Sequence, residues 1–336
     1  MTPARARLED VARIAGVSPK TVSRVLNKEP NVLQETRDKV LATMEALHYR
    51  PHPSARSLAA NRSFLIALLY DNASPSYTME VQSGVLDACN AHQYSMMMQP
   101  FDSRAPEFVD QVQALVTDRR LDGLVLTPPI ADHEKLLARL RELGTPFASV
   151  APRSQSGAGV FLDERQAACD MVKYLASLGH KRIAHVIGHP DHGAAQWRLQ
   201  GYRDGLAQCG LRYAAQLVVP GTFLFDSGVA AARKLLALKS PPTAVFAAND
   251  DMAAGVMWAA SELGLAIPRD LSVCGFDDTP MSRQIWPSLT TVHQPCQEMG
   301  RIAASQLFRV VRGNSSELVH TAYSLCLRGS TAALVD

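Results

Sequence analysis

The chain has 336 residues, of which 47% are hydrophobic and 20% are charged, with 34 Lys and Arg against 32 Asp and Glu. This length exceeds the size at which a single hydrophobic core stops growing, so we expect at least two compact domains. No apolar run approaches the roughly 18 residues that a membrane helix needs. The opening MTPARARLED lacks the apolar stretch of a secretory signal, which predicts a cytoplasmic protein. Six cysteines without a CxxC pair favour reduced thiols over a disulfide framework or a zinc knuckle.

The charge is distributed unevenly along the chain. Residues 1–62 contain eleven Lys and Arg but only six Asp and Glu, whereas the remainder is slightly acidic. A basic N-terminal region on a mildly acidic body suggests a polyanionic partner for that region alone.

Residues 8–47 have the pattern of three short helices. The first carries an apolar stripe from Leu8 to Ala15 and ends at Gly16, a residue that readily takes the left-handed conformation of a helix C-terminus. Ser18 is a good N-cap, and the proline that follows it suits the first position of the second helix, Pro19–Leu26. The third helix, 34–47, is expected to bury Val40, Leu41, Met44 and Leu47.

From residue 64 the pattern changes to short apolar strands alternating with amphipathic helices. The predicted strands are 64–70, 95–99, 123–127, 146–150, 182–187, 217–219, 244–247 and 271–276. The predicted helices are 77–91, 107–118, 133–143, 165–178, 197–209, 227–238, 250–263 and 296–311. Continuous apolar strands separated by helices indicate parallel sheets that are covered on both faces, an α/β architecture.

The N-terminal helices have the plan of a helix-turn-helix, in which the second helix enters the major groove of DNA. That helix would expose Lys20, Thr21 and Arg24 while its valines pack inward. An arginine can bond guanine O6 and N7 together. From the helices alone, a solvated charged helix in a small bundle is an equal alternative.

The run LEDVARIAGVSPKTVSRVLNKEPNVLQETRDKVLATMEALHYRPHPSARSLA resembles the headpiece and hinge of the LacI/GalR family of bacterial transcription regulators. The segments LGHKRIAHVIG, RLQGY, AANDDMAAG, VCGFDD and LTTVHQP extend the resemblance over nearly the whole chain. The resemblance implies a helix-turn-helix headpiece at 1–50, a hinge at 51–63 and a two-lobe body at 64–336 that is similar to periplasmic binding proteins. Arg7 and Pro19 depart from the family, which usually has Thr or Ser and a base-contacting polar residue at these positions.

The resemblance also implies which residues contact operator DNA. Double-stranded DNA would be bound by Ser18, Lys20, Thr21, Arg24, Asn27, Thr36, Ala55, Arg56 and Leu58. The hinge is expected to form a short helix only when two copies pair over the minor groove, where Leu58 would wedge between base pairs. Without the resemblance, a plain linker with one exposed leucine is the simpler interpretation.

In the body, the resemblance implies one lobe at about 64–163 and 295–322, a second at about 164–292 and 324–330, and an effector cleft between them. The expected effector-binding residues are Tyr77, Thr127, Arg198, Phe223, Asn249, Asp277 and Gln294. Each has a structural alternative, such as a turn cap for the aspartate, a core position for the phenylalanine and an ion pair for the arginine. Arg153 follows a strand where many relatives have a ligand-binding acid, which suggests a less common or a negatively charged sugar.

The sequence therefore predicts a DNA-binding repressor of carbohydrate-utilisation genes that a sugar effector releases from its operator. The alternative is a regulator whose ligand strengthens DNA binding. No GxGxxG, GxxxxGK[ST] or GxSxG motif supports an enzyme, so no cofactor is expected. The histidines at 180, 185, 189 and 192 match no closed zinc site. Because no leucine heptads follow LRGSTAAL, a homodimer is expected.

Overall fold

The structure, a computed structural model, describes residues 6–26, 31–47, 49, 62–71, 74–154 and 156–334. It divides into two compact units at 1–64 and 65–336. The hinge helix and the predicted DNA contacts Asn27, Ala55, Arg56 and Leu58 lie outside the described residues. Within the described ranges, no helix combines the length and the apolar character that crossing a membrane requires.

The N-terminal unit contains helices α1 (Leu8–Ala15), α2 (Pro19–Leu26) and α3 (Gln34–Ala46), as the sequence predicts. Helix α1 ends at Gly16, whose φ of 67° is left-handed. The helices share one small core, which consists of Val11, Ala12, Ala15, Val22, Val25, Val40 and Tyr49. The expected burial of Leu41 is wrong, because its side chain is 48% exposed. One residue past the buried Val40 is about 100° further around a helix and faces away from the core.

The body alternates strands with helices. The strands, numbered β1 to β12 in chain order, are Leu65–Tyr70, Ser95–Pro100, Gly123–Leu126, Phe147–Val150, Gly159–Phe161, Ile183–Ile187, Val218–Pro220, Ala244–Ala247, Ser272–Asp277, Thr290–His293, Leu318–His320 and Ser324–Cys326. The helices, numbered α4 to α12, are Pro75–His92, Phe108–Arg119, Glu134–Glu142, Glu164–Ser177, Gly193–Gln208, Phe225–Leu236, Asp250–Glu262, Met281–Gln284 and Cys296–Val311.

Two six-stranded sheets form the two lobes. The first has the strand order β11-β5-β4-β3-β1-β2, and the second has the order β12-β10-β9-β8-β6-β7. The neighbouring strands run parallel except β10 and β12, which pair antiparallel. The prediction of parallel sheets is therefore confirmed, with one antiparallel edge strand. The chain passes between the sheets after β5, after β10 and after β11, so three crossings connect the lobes.

Helices α4 and α12 approach each other closely at two glycines. A Cβ atom at Gly84 would lie 1.7 Å from the carbonyl oxygen of Gln297, and one at Gly300 would lie 2.1 Å from that of Val81. Backbone atoms cannot move aside as a flexible side chain can. The two helices are therefore held at a separation that only glycine permits.

The replacement Gly84→Ala is expected to destabilise the body by about 1–3 kcal/mol or more, because the added methyl group must push α4 away from α12. Urea unfolding measures the change in the free energy of unfolding. The neighbouring Ser83→Ala, at a half-buried position of the same helix, serves as the control and should stay within about 0.5 kcal/mol of the parent. Equal stability of the two variants would show that the helices are not in this contact.

Candidate functional site

The outer surface of α2 carries the headpiece residues that are predicted to contact DNA bases. Lys20 and Arg24 are exposed and lie one helical turn apart, while Val22 and Val25 are buried on the opposite side. This arrangement presents two long cationic side chains along one face of a helix that is anchored by its apolar face. Such a face has the chemistry that a DNA major groove and its phosphates require.

Two other predicted DNA contacts of the headpiece, Ser18 and Thr21, meet at the start of α2. The Ser18 hydroxyl accepts a hydrogen bond from the backbone N–H of Thr21 at 3.1 Å and lies 2.9 Å from the Thr21 hydroxyl. Ser18 therefore caps α2, as its position before Pro19 predicts. Thr36 lies on α3, in its first turn and half-buried, rather than on the α2 surface.

A small cavity lies between the two lobes of the body, where the strands end. Its volume is about 40 Å³. It is lined by Ser74, Tyr77, Pro128, Ala151, Glu164, His192, Ala194, Arg198, Phe223, Asn249, Asp277 and Gln294. Six of the seven predicted effector-binding residues are therefore brought together. The seventh, Thr127, lies outside the lining, since its hydroxyl donates to the carbonyl oxygen of Leu69 at 3.1 Å within the first sheet.

Arg198 is the centre of the cavity wall and is only 4% exposed. Its Nε donates to the Glu164 carboxylate at 3.0 Å, and its terminal nitrogens donate to the Gln294 amide oxygen at 3.2 Å and to the carbonyl oxygen of Ala248. The guanidinium also lies 3.6 Å from the ring centre of Phe276. The arginine thus forms a buried ion pair and also lines the cavity, while its contact with an effector stays a prediction.

Asp277 and Tyr77 present polar atoms to this cavity without a hydrogen-bond partner. One oxygen of Asp277 lies 3.6 Å from an Arg198 nitrogen and accepts no hydrogen bond, and the buried Tyr77 hydroxyl also has none among the described residues. Burial raises the pKa of the Asp277 carboxyl well above its usual range, although Arg198 opposes the shift. Asp277 also has a φ of 113°, which is strained for any residue but glycine. A buried donor and acceptor left unpaired at a strained position are typical of a ligand site.

The side-chain amide of Asn249 holds the loop around Phe223 in place. Its amide oxygen accepts from the N–H of Met252 at 3.0 Å, which caps α10, and its amide nitrogen donates to the carbonyl oxygen of Phe223 at 2.9 Å. The Phe223 ring packs on Gly188, where an added Cβ would lie 1.9 Å from it. A side chain at position 188 would collide with this ring, so the glycine leaves the room that Phe223 needs to form part of the cavity wall.

Three polar residues of the lining are not among the predicted effector contacts, namely Ser74, Glu164 and His192. Glu164 follows the N-cap Asp163 in the first turn of α7, where the chain passes from one lobe to the other. A carboxylate at this position is the one sequence signal that could have indicated its place in the cleft. Burial lowers the pKa of His192 to about 4, which leaves it neutral at neutral pH. The Ser74 hydroxyl donates to the carboxylate of Asp251 and so links the two lobes.

Arg153, on which the expectation of a negatively charged sugar depends, does not line the cavity. Its N–H donates to the Asp132 carboxylate at 2.6 Å and its guanidinium donates to the Gln196 amide oxygen at 3.2 Å. Its side chain covers Gly193 at the start of α8, 2.2 Å from where a Cβ would lie. The structure gives it the role of a bridge between lobes.

Known protein families match both the N-terminal unit and the body of the chain. Residues 7–52 match the model of the lacI family of bacterial regulatory proteins, and residues 172–331 match a periplasmic binding protein-like domain. The chain is 33% identical over 330 residues to catabolite control protein A of Priestia megaterium, covering 96% of this chain and 98% of that protein.

Two solved structures of transcription regulators are similar over nearly the whole chain. A complex of the transcriptional regulator CelR with cellobiose matches with a TM-score of 0.73 and 30% identity, over 97% of this chain and 100% of that one. The Lac repressor dimer bound to operator and the anti-inducer ONPF matches with a TM-score of 0.78 and 28% identity, over 98% of this chain and 100% of that one. The chain belongs to the lacI family of bacterial regulatory proteins.

Proposed function

We propose that this protein is a cytoplasmic, homodimeric transcriptional repressor of carbohydrate-utilisation genes, released from a pseudo-palindromic operator by a sugar or sugar-derived effector. The observation that carries the proposal is the cavity between the lobes, where Tyr77 and Asp277 each present a polar atom without a partner. A polyhydroxylated molecule supplies both a hydrogen-bond donor and an acceptor. The cellobiose that CelR binds is a molecule of this kind.

The DNA-binding part of the proposal is supported by the exposed face of α2. Lys20 and Arg24 are assigned to base edges and neighbouring phosphates, and Ser18, Thr21, Asn27 and Thr36 to phosphates. For the hinge, the proposal rests on the sequence: Arg56 and Ala55 line the minor groove and Leu58 enters the base stack.

Apolar side chains on the surface of the body support a second copy as partner. Phe225 and Trp258 are 38% and 46% exposed, and their ring centres lie 6.3 Å apart. Met79, on α4 in the first lobe, is 66% exposed. Large exposed aromatic and methionine side chains are typical of protein interfaces. Two heads in a symmetric dimer would read the two halves of a palindrome.

Ligand binding in the cleft would act on DNA through the crossings between the lobes. Gln294 follows β10 at one crossing and bonds Arg198 in the cavity wall. A ligand that moves this wall changes the relative position of the lobes, and with it the spacing of the two hinges in the dimer. A coupling of this kind is typically about 1–3 kcal/mol. The opposite sign, in which ligand strengthens DNA binding, uses the same parts and is the alternative.

The experiment that tests the proposal has two steps. Selection from random DNA yields the operator, and a panel of mono- and disaccharides is then added to the protein–operator complex. Release by a compound that also raises the melting temperature of the protein supports the proposal, because a ligand stabilises the state that binds it. Tighter operator binding supports the alternative, and unchanged operator affinity with a bound compound contradicts both.

The replacement Asp277→Asn is expected to leave operator binding unchanged and to remove the response to ligand. The variant keeps the size of the side chain but removes its ability to ionise and replaces one of its two oxygens by an NH2 group, so donors on the ligand are bound less well. Fluorescence anisotropy with labelled operator measures both properties. An intact ligand response in this variant would show that Asp277 does not bind the effector.

A further inference from the structure

The charges around the cavity are unbalanced. The carboxyl groups of Glu164 and Asp277 line it, and Asp251 bonds Ser74 at its edge. Among the described residues of the lining, the cationic side chain is Arg198. Acidic groups therefore outnumber basic ones where a ligand would be enclosed.

The charge of Arg198 is already matched inside the protein. Its Nε bonds the Glu164 carboxylate at 3.0 Å in a pair of which both side chains are almost completely buried. Its terminal nitrogens bond Gln294 and Ala248. An acidic ligand would thus meet a guanidinium whose charge is neutralised, together with a second carboxylate at 3.6 Å from it.

Two arginines of the first lobe near the cleft, Arg153 and Arg104, bond to partners outside the cavity. Arg153 bonds Gln196 outside the cavity, and Arg104 pairs with Asp102 at 3.2 Å. In the described part of the chain, neither of these two arginines supplies a charge to balance Asp277. The lining therefore has more acidic than basic side chains, and a cation beside Asp277 would favour the ionised form that burial disfavours.

We infer that the effector carries a protonated amine beside its hydroxyl groups, as an amino sugar does, with the amine bound to Asp277 and a hydroxyl accepting from Tyr77. The inference rests on the proposed role of the cleft as the effector site. One oxygen of Asp277 accepts no hydrogen bond from the described residues and lies 3.6 Å from Arg198, so it would be stabilised most by a ligand donor that is also positively charged. This assignment reverses the ligand charge that the sequence suggests through Arg153.

Isothermal titration calorimetry of the full-length protein tests the inference with matched sugars. D-glucosamine and D-galactosamine are compared with D-glucose and D-galactose, with the N-acetyl derivatives, and with the corresponding uronates. We expect the amines to bind about tenfold or more tightly than their parent hexoses, since a hydrogen bond to a charged group is the stronger kind. The uronates should give no heat of binding. Equal or tighter binding of the hexoses, binding of a uronate, or no binding of the amines overturns the inference.

Two cavity variants and one control locate the effect. Asp277→Asn should abolish the preference for amines, and Glu164→Gln should reduce it, because Arg198 then regains an unmatched charge beside the ligand. Glu134→Gln is the control: it removes an exposed carboxylate from the same first-turn position of α6, and its preference should equal the parent's. A preference kept by both cavity variants overturns the inference. An amine that binds through Asp277 without changing operator affinity contradicts the proposed function instead, and leaves standing only the preference of the cleft for amines.

Discussion

Arg198→Ala is expected to destabilise the body by about 3–5 kcal/mol, the usual result of removing one partner from a buried ion pair. The guanidinium is bonded to Glu164, Gln294 and Ala248, and it lies 3.6 Å from Asp277. Its loss leaves two buried carboxyl groups without a cation. Urea unfolding at neutral pH measures the change in the free energy of unfolding.

The pH dependence of this variant adds a second test. Burial already holds the pKa of Asp277 above its usual range in the folded protein, and loss of Arg198 removes the cation that opposes the shift. A carboxyl group with a raised folded pKa stabilises the fold at low pH, and that contribution is lost as pH rises towards the raised pKa. The destabilisation by Arg198→Ala should therefore be smaller at pH 5 than at pH 8.

Arg233→Ala is the matched control for Arg198→Ala. Arg233 pairs with Glu262 at 2.7 Å, but its side chain is 59% exposed, so water replaces the lost contact. The control should change the stability by only about 0–1 kcal/mol. Similar losses in the two variants would contradict the buried network as the main stabilising contact of the cavity wall.

Arg24→Ala is expected to remove most of the discrimination between operator and random DNA. The residue is exposed on the outer face of α2, and a bidentate contact with a guanine contributes about 1–3 kcal/mol of discrimination. Affinity for random DNA should fall much less, because phosphate contacts elsewhere on the head persist. Gel shifts with the selected operator and with a scrambled duplex measure the ratio of the two affinities.

Thr36→Ala is the comparison for Arg24→Ala. As a proposed phosphate contact it should weaken binding to both duplexes by a similar factor, which leaves their ratio unchanged. If Arg24→Ala has the same ratio of operator affinity to scrambled-DNA affinity as the parent protein, the assignment of Arg24 to a base is contradicted.

The sequence predicts the regular elements of the body well because their signals are local. Buried parallel strands such as Ala244–Ala247 are continuous apolar runs, and helices such as Cys296–Val311 carry an apolar stripe. The sequence misses four strands that lie beside lobe crossings. Three of them, Gly159–Phe161, Leu318–His320 and Ser324–Cys326, have three residues each, and Thr290–His293 has four. Their pairing is set by distant parts of the chain, so no local pattern marks them.

The sequence predicts which residues line the cleft, but not how their charges are paired. The resemblance brings Tyr77, Arg198 and Asp277 to one cleft, where the structure also places them. It gives no indication that Glu164 neutralises the arginine or that Arg153 bridges the lobes, because both depend on side chains that meet only in the fold. The expected charge of the ligand is the conclusion that changes most.

The central claim is that occupancy of the cleft governs DNA binding by the head, and one titration tests it directly. Operator affinity of the full-length protein is measured by anisotropy with and without each sugar that calorimetry shows to bind, in parallel with Asp277→Asn. We expect a bound sugar to change the affinity of the parent by about 5- to 150-fold, and that of the variant not at all. An operator affinity that stays constant while the cleft fills would contradict the claim.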